Sequence, residues 1–290
     1  MPELFLAGLI FLALALLCRP DSMKELADYA RKPLLDPAGI LQVHPWQLHN
    51  LSQFQAGHFP LWNQYTGTGQ PHLANIQTGA FFPLWDAWMA AGGGATLYGA
   101  TLVFRLWLAA MLWFVFARKK LCRFPGAVLS GAVYAFGGYA VPFAQLIDLN
   151  SQLLLPILML FLSGLFQKNK IIYFIGSSLL VCLALLGGHP SAAFVTVVVA
   201  AVYALAEFMA GGGNKKFLPG RVFVLAGVGV MAAVLCAAVL LPFLNYLSRC
   251  WSMHGPGFGV FHLDPHGFFN LVLPDLYSVF QDLPARIPLE

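Results

Sequence analysis

The residues best suited to chemistry lie in a polar stretch near the start of the chain. Asp36 comes directly before Pro37, and a residue in that position is held in an extended or turn conformation rather than within a helix. A carboxylate held in this way can act as a general base when a substrate binds beside it. Alternatively, Asp36 caps a short helix that begins at Pro37, because aspartate favours the cap and proline favours the first helical position.

The composition indicates that these residues belong to a membrane protein. Hydrophobic side chains make up 59% of the 290 residues and charged ones only 10%, whereas soluble proteins carry about 25% charged residues. The mean hydropathy is +0.73. Most of this surface must therefore face lipid, which excludes a cytosolic enzyme and a secreted disulfide-stabilised domain.

The cysteines and histidines predict neither a disulfide framework nor a metal site. The five cysteines form no Cys-x-x-Cys pair, and no histidine pair has metal-binding spacing on a predicted helix. We therefore predict no cofactor, and a requirement for a divalent metal is left open. The net charge of +4 is small, so nucleic acid is not expected as a partner.

Seven apolar runs approach or exceed the roughly 20 residues that a helix needs to cross the hydrocarbon core. These runs are 4–18, 97–117, 125–146, 149–166, 171–186, 192–209 and 222–244. Backbone amides in lipid must be paired within their own segment, and no run alternates as a barrel strand does. The sequence therefore predicts an all-α polytopic membrane protein, with 1–290 forming one transmembrane domain of about seven helices.

The basic residues predict the orientation of these helices. Nine of the 16 lysines and arginines fall in three short loops, which follow the second, fourth and sixth runs. Cytoplasmic loops are enriched in lysine and arginine, so we assign these three loops to the cytoplasm. All eight histidines and most of the carboxylates then fall on the opposite side. Any chemistry is expected outside the cytoplasm.

The first external loop, 19–96, is much longer than an ordinary connection. Aromatic residues in it, including Trp46, Phe54, Trp85 and Trp88, alternate with polar ones. This pattern is typical of short amphipathic helices that lie in the membrane interface. We therefore predict an extracytoplasmic loop with interfacial helices.

Several motifs, in order along the chain, resemble the bacterial YfhO-like membrane protein family. The matching runs are Asp36–Trp46, Gly57–Asn63, Gly69–Gln77 and Phe82–Pro83 in the first loop, then Gly187–Pro190 and Leu241–Arg249. The family belongs with the GT-C type glycosyltransferases. The resemblance implies a GT-C-like fold in the bacterial cytoplasmic membrane, and it implies that this chain is an N-terminal portion, truncated at the C-terminus, because the resembling proteins continue through further helices.

The resemblance also implies an activity. Enzymes of this type are inverting glycosyltransferases that move a sugar from a polyprenyl-phosphate donor to an acceptor outside the cytoplasmic membrane. The acceptor would be a cell-envelope glycan or glycolipid, such as lipoteichoic acid, with membrane lipids as surroundings. Asp36 would be the catalytic base that takes the proton of the acceptor hydroxyl.

The same resemblance suggests residues that would bind the substrate. Within the matched runs we assign this role to His44, Trp62, Asn63, Asn75 and Gln77. Aromatic rings stack on sugars and amides hydrogen-bond to them, but the same residue types also stabilise turns and favour the membrane interface. Both interpretations stay open for these residues.

Three cationic or hydrogen-bonding residues are candidates to stabilise the phosphate leaving group. Arg249 follows the last helix, although an interfacial arginine also binds ordinary lipid phosphate. His189 follows two glycines, which would let a substrate approach, or it is simply a histidine at a helix end. Arg105 lies inside the second helix, where an ionised group is functional by default, unless it pairs with Asp148 or extends to the interface.

A lipid or solute transporter, or a noncatalytic membrane subunit, is the alternative class of function. A transporter of the repeat type should show charged or broken helices in two corresponding halves near the midplane. In this sequence the polar residues gather in one external loop, and that distribution favours chemistry at the membrane surface.

Overall fold

The computed structural model of the chain is mostly helical. It describes residues 2–18, 38–93, 95–120, 122–137, 139–141, 144–168, 171–212 and 217–250. The chain divides into two compact units, Met1–Ser248 and Arg249–Glu290. Only Arg249 and Cys250 of the second unit are described, and everything below concerns the first unit unless stated.

The first unit begins with one apolar helix and then forms a compact loop region before the remaining helices. The elements up to that point are α1 (Pro2–Cys18), a π-helical turn (Gly39–Val43), α2 (His44–Gln55), β1 (Trp62–Asn63), β2 (Gln70–Pro71), a 3₁₀ turn (Ile76–Thr78) and α3 (Pro83–Ala90). The helices that follow are α4 (Ala95–Lys120), α5 (Phe124–Phe136), α6 (Asp148–Gln152), α7 (Leu155–Lys168), α8 (Ile171–Leu186), α9 (Pro190–Ala210), α10 (Leu218–Leu235) and α11 (Ala237–Leu247).

Within the described residues, four helical stretches are long and apolar enough to cross a membrane, judged by length and composition. They are Leu97–Lys120, Asp148–Gln167, Pro190–Ala210 and Leu218–Leu235. Shorter apolar helices cover Pro2–Cys18, Phe124–Phe136, Ile171–Leu186 and Ala237–Leu247. The prediction of a helical membrane protein agrees with this fold, and the number of seven spans stays a prediction.

Three predicted spans differ from the helices observed. The third, predicted as 125–146, contains a helix that ends at Phe136, and Gly137 then adopts an extended conformation. Glycine is a poor helix former, which accounts for the early end of α5. The fourth, predicted as 149–166, is covered by α6 and α7, which are separated at Leu153 and Leu154. The seventh, predicted as 222–244, is two helices separated at Cys236.

Helix α4 forms the centre of the bundle because its small residues allow close approach of its neighbours. Ala109 and Ala110 are fully buried against α1 and α5. At Gly131 of α5, an added Cβ would lie only 2.8 Å from the carbonyl oxygen of Ala110. Small residues spaced four apart, as Gly131 and Ala135 are in the sequence, predict such a contact, because they are a common basis of helix packing in membranes.

The basic end of α4 forms ion pairs with two other helices at one end of this bundle. The guanidinium of Arg118, in the last turn of α4, forms a 2.8 Å ion pair with Glu3 in the first turn of α1. Lys120 forms a second ion pair with Glu207 near the end of α9. The end of the bundle predicted to be cytoplasmic is therefore held together by pairs between different helices.

At the opposite end, the connections between helices pack on the first loop. The side-chain amide of Asn150 in α6 donates to the carbonyl of Gly187 at 2.9 Å. Gly188 has a φ of +97°, and an added Cβ would lie 3.2 Å from the carbonyl oxygen of Ile76. The Gly187–Gly188 connection thereby contacts the 3₁₀ turn of the first loop directly.

Candidate functional site

Helix α2 holds the first loop together through side-chain amides. Gln47 donates to the carbonyl of Thr78 at 2.7 Å, and Asn50 donates to the same carbonyl at 3.2 Å. Both amides are fully buried, so each hydrogen bond is protected from water and its loss would leave an unsatisfied group. These contacts tie the 3₁₀ turn to α2 across about thirty residues of sequence.

A pair of buried histidines extends this network. The rings of His49 and His72 pack at 4.6 Å between centroids. Nε2 of His72 lies 2.9 Å from Oδ1 of Asn50, and Nε2 of His49 lies 3.1 Å from the carbonyl oxygen of Trp62. Both acceptors are oxygens, so each Nε2 must carry the proton. Burial, and secondarily the charge of His49, lowers the pKa of His72 to about 4, so His72 is neutral at physiological pH.

A short hairpin forms one wall of the site. Strands β1 and β2 pair antiparallel, with Asn63 opposite Gln70. Asn63 donates to the hydroxyl of Thr66 at 3.0 Å and accepts from the amide N–H of Tyr65 at 2.9 Å. Asn63 therefore fixes the turn that presents Tyr65 and Thr66.

Between this hairpin and the start of α2 lies a cavity of about 510 Å³, which we call the first-loop cavity. Its lining residues are Leu41, Gln42, Pro45, Trp46, His49, Asn63, Tyr65, Thr66, Gln70, Asn75 and Gln77. Asn63 and His49 are almost fully buried, whereas Tyr65 is 78% exposed. Binding sites for small molecules commonly fall in this range of volume.

Three of the predicted substrate-binding residues lie together in the first-loop cavity, namely Asn63, Asn75 and Gln77. Asn75 also caps the 3₁₀ turn, since its side-chain oxygen accepts the N–H of Gln77 at 3.2 Å. Asn63 and Asn75 thus have structural hydrogen bonds as well. Stabilisation of turns and binding of a ligand, the two interpretations of these residues, are therefore compatible within one site.

Trp62 and His44 lie beside the cavity rather than in its lining. The indole of Trp62 packs on Gly69, where φ is +95° and an added Cβ would lie 2.7 Å from the ring. His44 is buried, and its ring packs edge-on against Tyr98 of α4 at 4.7 Å. Burial also lowers the pKa of His44, and its ring contact with Tyr98 joins α2 to α4.

Arg105 binds the backbone of the segment between α5 and α6. It is fully buried in α4 and donates to the carbonyls of Ala144 and Leu146, at 2.5 and 2.6 Å. Its guanidinium also lies 5.3 Å from the ring centre of Trp85. Asp148, the partner considered from the sequence, accepts a hydrogen bond from Tyr139 at 2.6 Å. The backbone contacts of Arg105 order the segment between α5 and α6.

His189 caps α9. Its Nδ1 accepts the amide N–H of Ala192 at 3.2 Å, so the proton of the neutral ring is on Nε2. A Cβ added at the neighbouring Gly188 would lie 3.4 Å from the carbonyl oxygen of Gln77 and 3.2 Å from that of Ile76. The structure therefore places the Gly-Gly-His-Pro motif next to the turn that carries Gln77.

Two further residues proposed from the sequence lie outside the described part of the first unit. Arg249 is exposed and belongs to the second unit. Asp36, the predicted base, lies outside the described residues. The nearest described part of its motif is the turn that starts at Gly39.

Sequence reasoning did not select the residues that the π-helical turn and α2 contribute to the cavity. Gln42, Trp46 and His49 all line it. They are spaced by four and then three residues, the spacing that places side chains on one face of a helix. That helical spacing was the available signal, and the alternation of aromatic and polar residues obscured it.

A second, apolar depression runs along the outside of the bundle between α1 and α4. This apolar groove has a volume of about 930 Å³ and is lined by side chains that include Leu12, Leu16 and Trp107. Ala100 and Phe104 also line a smaller apolar depression of about 260 Å³ against α3. The groove therefore continues towards α3, which belongs to the first loop.

The fold and the site together define a helical membrane protein with a polar cavity in its first loop. Among the residues that the structure describes, no group of three or more histidine, cysteine or carboxylate side chains is arranged to hold a metal ion. No protein-family model, curated protein or solved structure matches the chain.

Proposed function

We propose that this protein is a glycosyltransferase of the GT-C type, which moves a sugar from a polyprenyl-phosphate donor to a cell-envelope acceptor outside the cytoplasmic membrane. The observation that carries the proposal is the first-loop cavity. It gathers amide side chains from two separate motifs, at Asn63 and at Asn75 and Gln77, beside the rings of Trp46 and Tyr65. Amides and aromatic faces are suited to bind a sugar.

The apolar groove supports a donor that carries a lipid chain. It lies on the surface that faces lipid and leads, through Ala100 and Phe104, to the depression against α3. Trp88 of α3 lines that depression and also packs at 6.2 Å against His44, at the start of α2. A hydrocarbon chain in the groove would thus lie near the loop that holds the cavity.

The reaction would be a single displacement at the anomeric carbon. The acceptor oxygen forms a bond to that carbon while the bond from carbon to the phosphate oxygen breaks, and polyprenyl phosphate leaves. The proton of the acceptor hydroxyl goes to the carboxylate of Asp36, whose role rests on the sequence motif. His189, with Nε2 as the proton-bearing nitrogen, can donate a hydrogen bond to the departing phosphate.

The test is sugar transfer by the full-length protein with Asp36→Asn. Asparagine keeps the size and the hydrogen bonds but cannot accept the proton, so the rate should fall about 100- to 10,000-fold. As a cap, asparagine is about as good as aspartate, so folding should be unchanged. Transfer from a polyprenyl-phosphate sugar is followed by mass spectrometry of the lipid product.

Asp86→Asn is the matched control. Asp86 lies on α3 and does not line the first-loop cavity, so this variant should keep its activity. Near-normal turnover by Asp36→Asn would rule out Asp36 as the base. Loss of transfer activity in Asp86→Asn alone would indicate that Asp86, on α3, is the base. Absence of transfer by the unmodified protein with every donor would contradict the proposed function.

A further inference from the structure

The lining of the first-loop cavity is rich in groups that both donate and accept hydrogen bonds. Five of its side chains are amides, namely Gln42, Asn63, Gln70, Asn75 and Gln77. Tyr65, Thr66 and the imidazole of His49 add further donors and acceptors, and the indole of Trp46 adds a donor. Among the described residues that line the cavity, none is an aspartate, glutamate, lysine or arginine.

Three of these amides are available to a ligand. Asn63 is engaged at both ends by Thr66 and Tyr65, whereas the side-chain amides of Gln42, Gln70 and Gln77 form no hydrogen bond within the described part of the chain. Each offers two N–H donors and a carbonyl acceptor. A sugar hydroxyl also donates and accepts, so such amides can satisfy several hydroxyls at once.

The buried part of the cavity disfavours a charged ligand. His49 and Asn63 are only 7% and 4% exposed, so a ligand that reaches them loses water on that side. Nε2–H of His49 is directed to the carbonyl of Trp62, so it is already engaged within the protein. A carboxylate or an ammonium group would lose hydration without gaining an ion pair, and that loss is costly.

We infer that the first-loop cavity selects an uncharged sugar and discriminates against sugars that carry a carboxylate or a free amine. This inference rests on the proposed function, because it names the class of glycosyl group that the same site would accept. It follows that the phosphate of the donor lies outside the cavity, since an anion is bound best by charged donors.

The inference is tested first by binding of free glycosides to the full-length protein in nanodiscs, measured by calorimetry. The probes are methyl glucoside, which is neutral, and methyl glucuronide, which differs by its carboxylate. The neutral glycoside should bind about tenfold more tightly, the factor that corresponds to roughly 1.4 kcal/mol. Equal or tighter binding of the glucuronide would overturn the inference, as would failure of both probes to bind.

A charge-introducing variant tests whether the selection occurs in this cavity. Gln42→Arg places a guanidinium at the exposed rim, and a hydrogen bond to a charged partner should improve glucuronide binding about tenfold or more. Gln55→Arg is the matched control, because Gln55 is exposed at the end of α2 and does not line the cavity. An equal effect of the two variants would place the selection elsewhere and overturn the inference.

Transfer assays separate this inference from the proposed function. Donors with a glucosyl and a glucuronosyl group on the same polyprenyl phosphate are compared. Selective binding of the neutral glycoside without any transfer would leave the inference intact and contradict the transferase. Faster transfer from the glucuronosyl donor would overturn the inference while supporting the transferase.

Discussion

Gln145 packs so closely on Gly39 that the latter position has no room for a side chain. A Cβ added at Gly39 would lie 2.3 Å from Cδ of Gln145, and Gln145 is itself only 3% exposed. The neighbouring carbonyls, of Ala144 and Leu146, are the ones that Arg105 holds. Arg105 in the bundle is therefore connected, through one segment, to the turn at Gly39, which lies within the Asp36–Trp46 run.

We expect Gly39→Ala to destabilise the first loop because the buried side chain of Gln145 must move. Overpacking of this kind costs about 1 to 3 kcal/mol, and thermal unfolding in detergent should show a lower Tm. Gly229→Ala is the control, since an added Cβ there meets nothing within 4 Å. In a double-mutant cycle, Gln145→Ala should remove most of the effect of Gly39→Ala. Purely additive effects would contradict the contact.

Arg105→Lys should destabilise the bundle although it keeps the positive charge. The planar guanidinium reaches two carbonyls at once and stacks on Trp85, and an ammonium group cannot reproduce that geometry. Loss of one hydrogen bond from a charged donor corresponds to about 1.5 to 3 kcal/mol.

Arg118→Lys is the comparison for this variant. Arg118 pairs with Glu3 at an exposed helix end, where an ion pair contributes about 1 kcal/mol or less. The Tm of each variant is measured in the same detergent. Equal shifts would argue against a special role for the buried arginine.

The pH dependence of stability should change in His72→Gln. Burial lowers the pKa of His72 from 6.5 to about 4, so the unfolded chain binds a proton at a higher pH than the folded protein does. The contribution of neutral His72 to the free energy of unfolding is therefore complete above about pH 6.5, and it is lost as the pH falls towards 4. The variant should lose less stability than the unmodified protein between pH 7 and pH 5.

Titration of Asp86 changes the stability of the protein in the opposite direction over the same pH range. Burial raises its pKa from 3.8 to about 6, so its contribution grows as the pH falls below 6. The measurement is therefore the difference in Tm between the unmodified protein and each variant. A profile unchanged in His72→Gln would refute the prediction.

The predicted orientation can be tested by labelling single cysteines in intact cells. In a variant whose five native cysteines are replaced by serine, Thr68→Cys should react with a membrane-impermeant thiol reagent and Lys119→Cys should not. Both positions are exposed, so accessibility on the protein is matched. Reaction only at position 119 would reverse the topology and place the first-loop cavity in the cytoplasm.

Much of the helical framework could be predicted from local sequence. Apolar runs long enough to pair their own backbone amides predicted the positions of α1, α4, α8 and α9 to within a few residues. Composition predicted the membrane class. Small residues predicted the close contact at Gly131. These features depend on residues that are neighbours in the chain or on sums over the chain, so a pattern suffices.

The tertiary structure decided which polar residues share a site and which only support it. Trp62 and Trp46 are equivalent as residue types, but packing on Gly69 places the first beside the cavity while α2 places the second in its lining. Arg105 holds the carbonyls of Ala144 and Leu146, a contact that the sequence did not predict. Each of these outcomes depends on contacts between segments distant in sequence, such as Gln47 with Thr78, and no local pattern encodes the distance at which such segments meet.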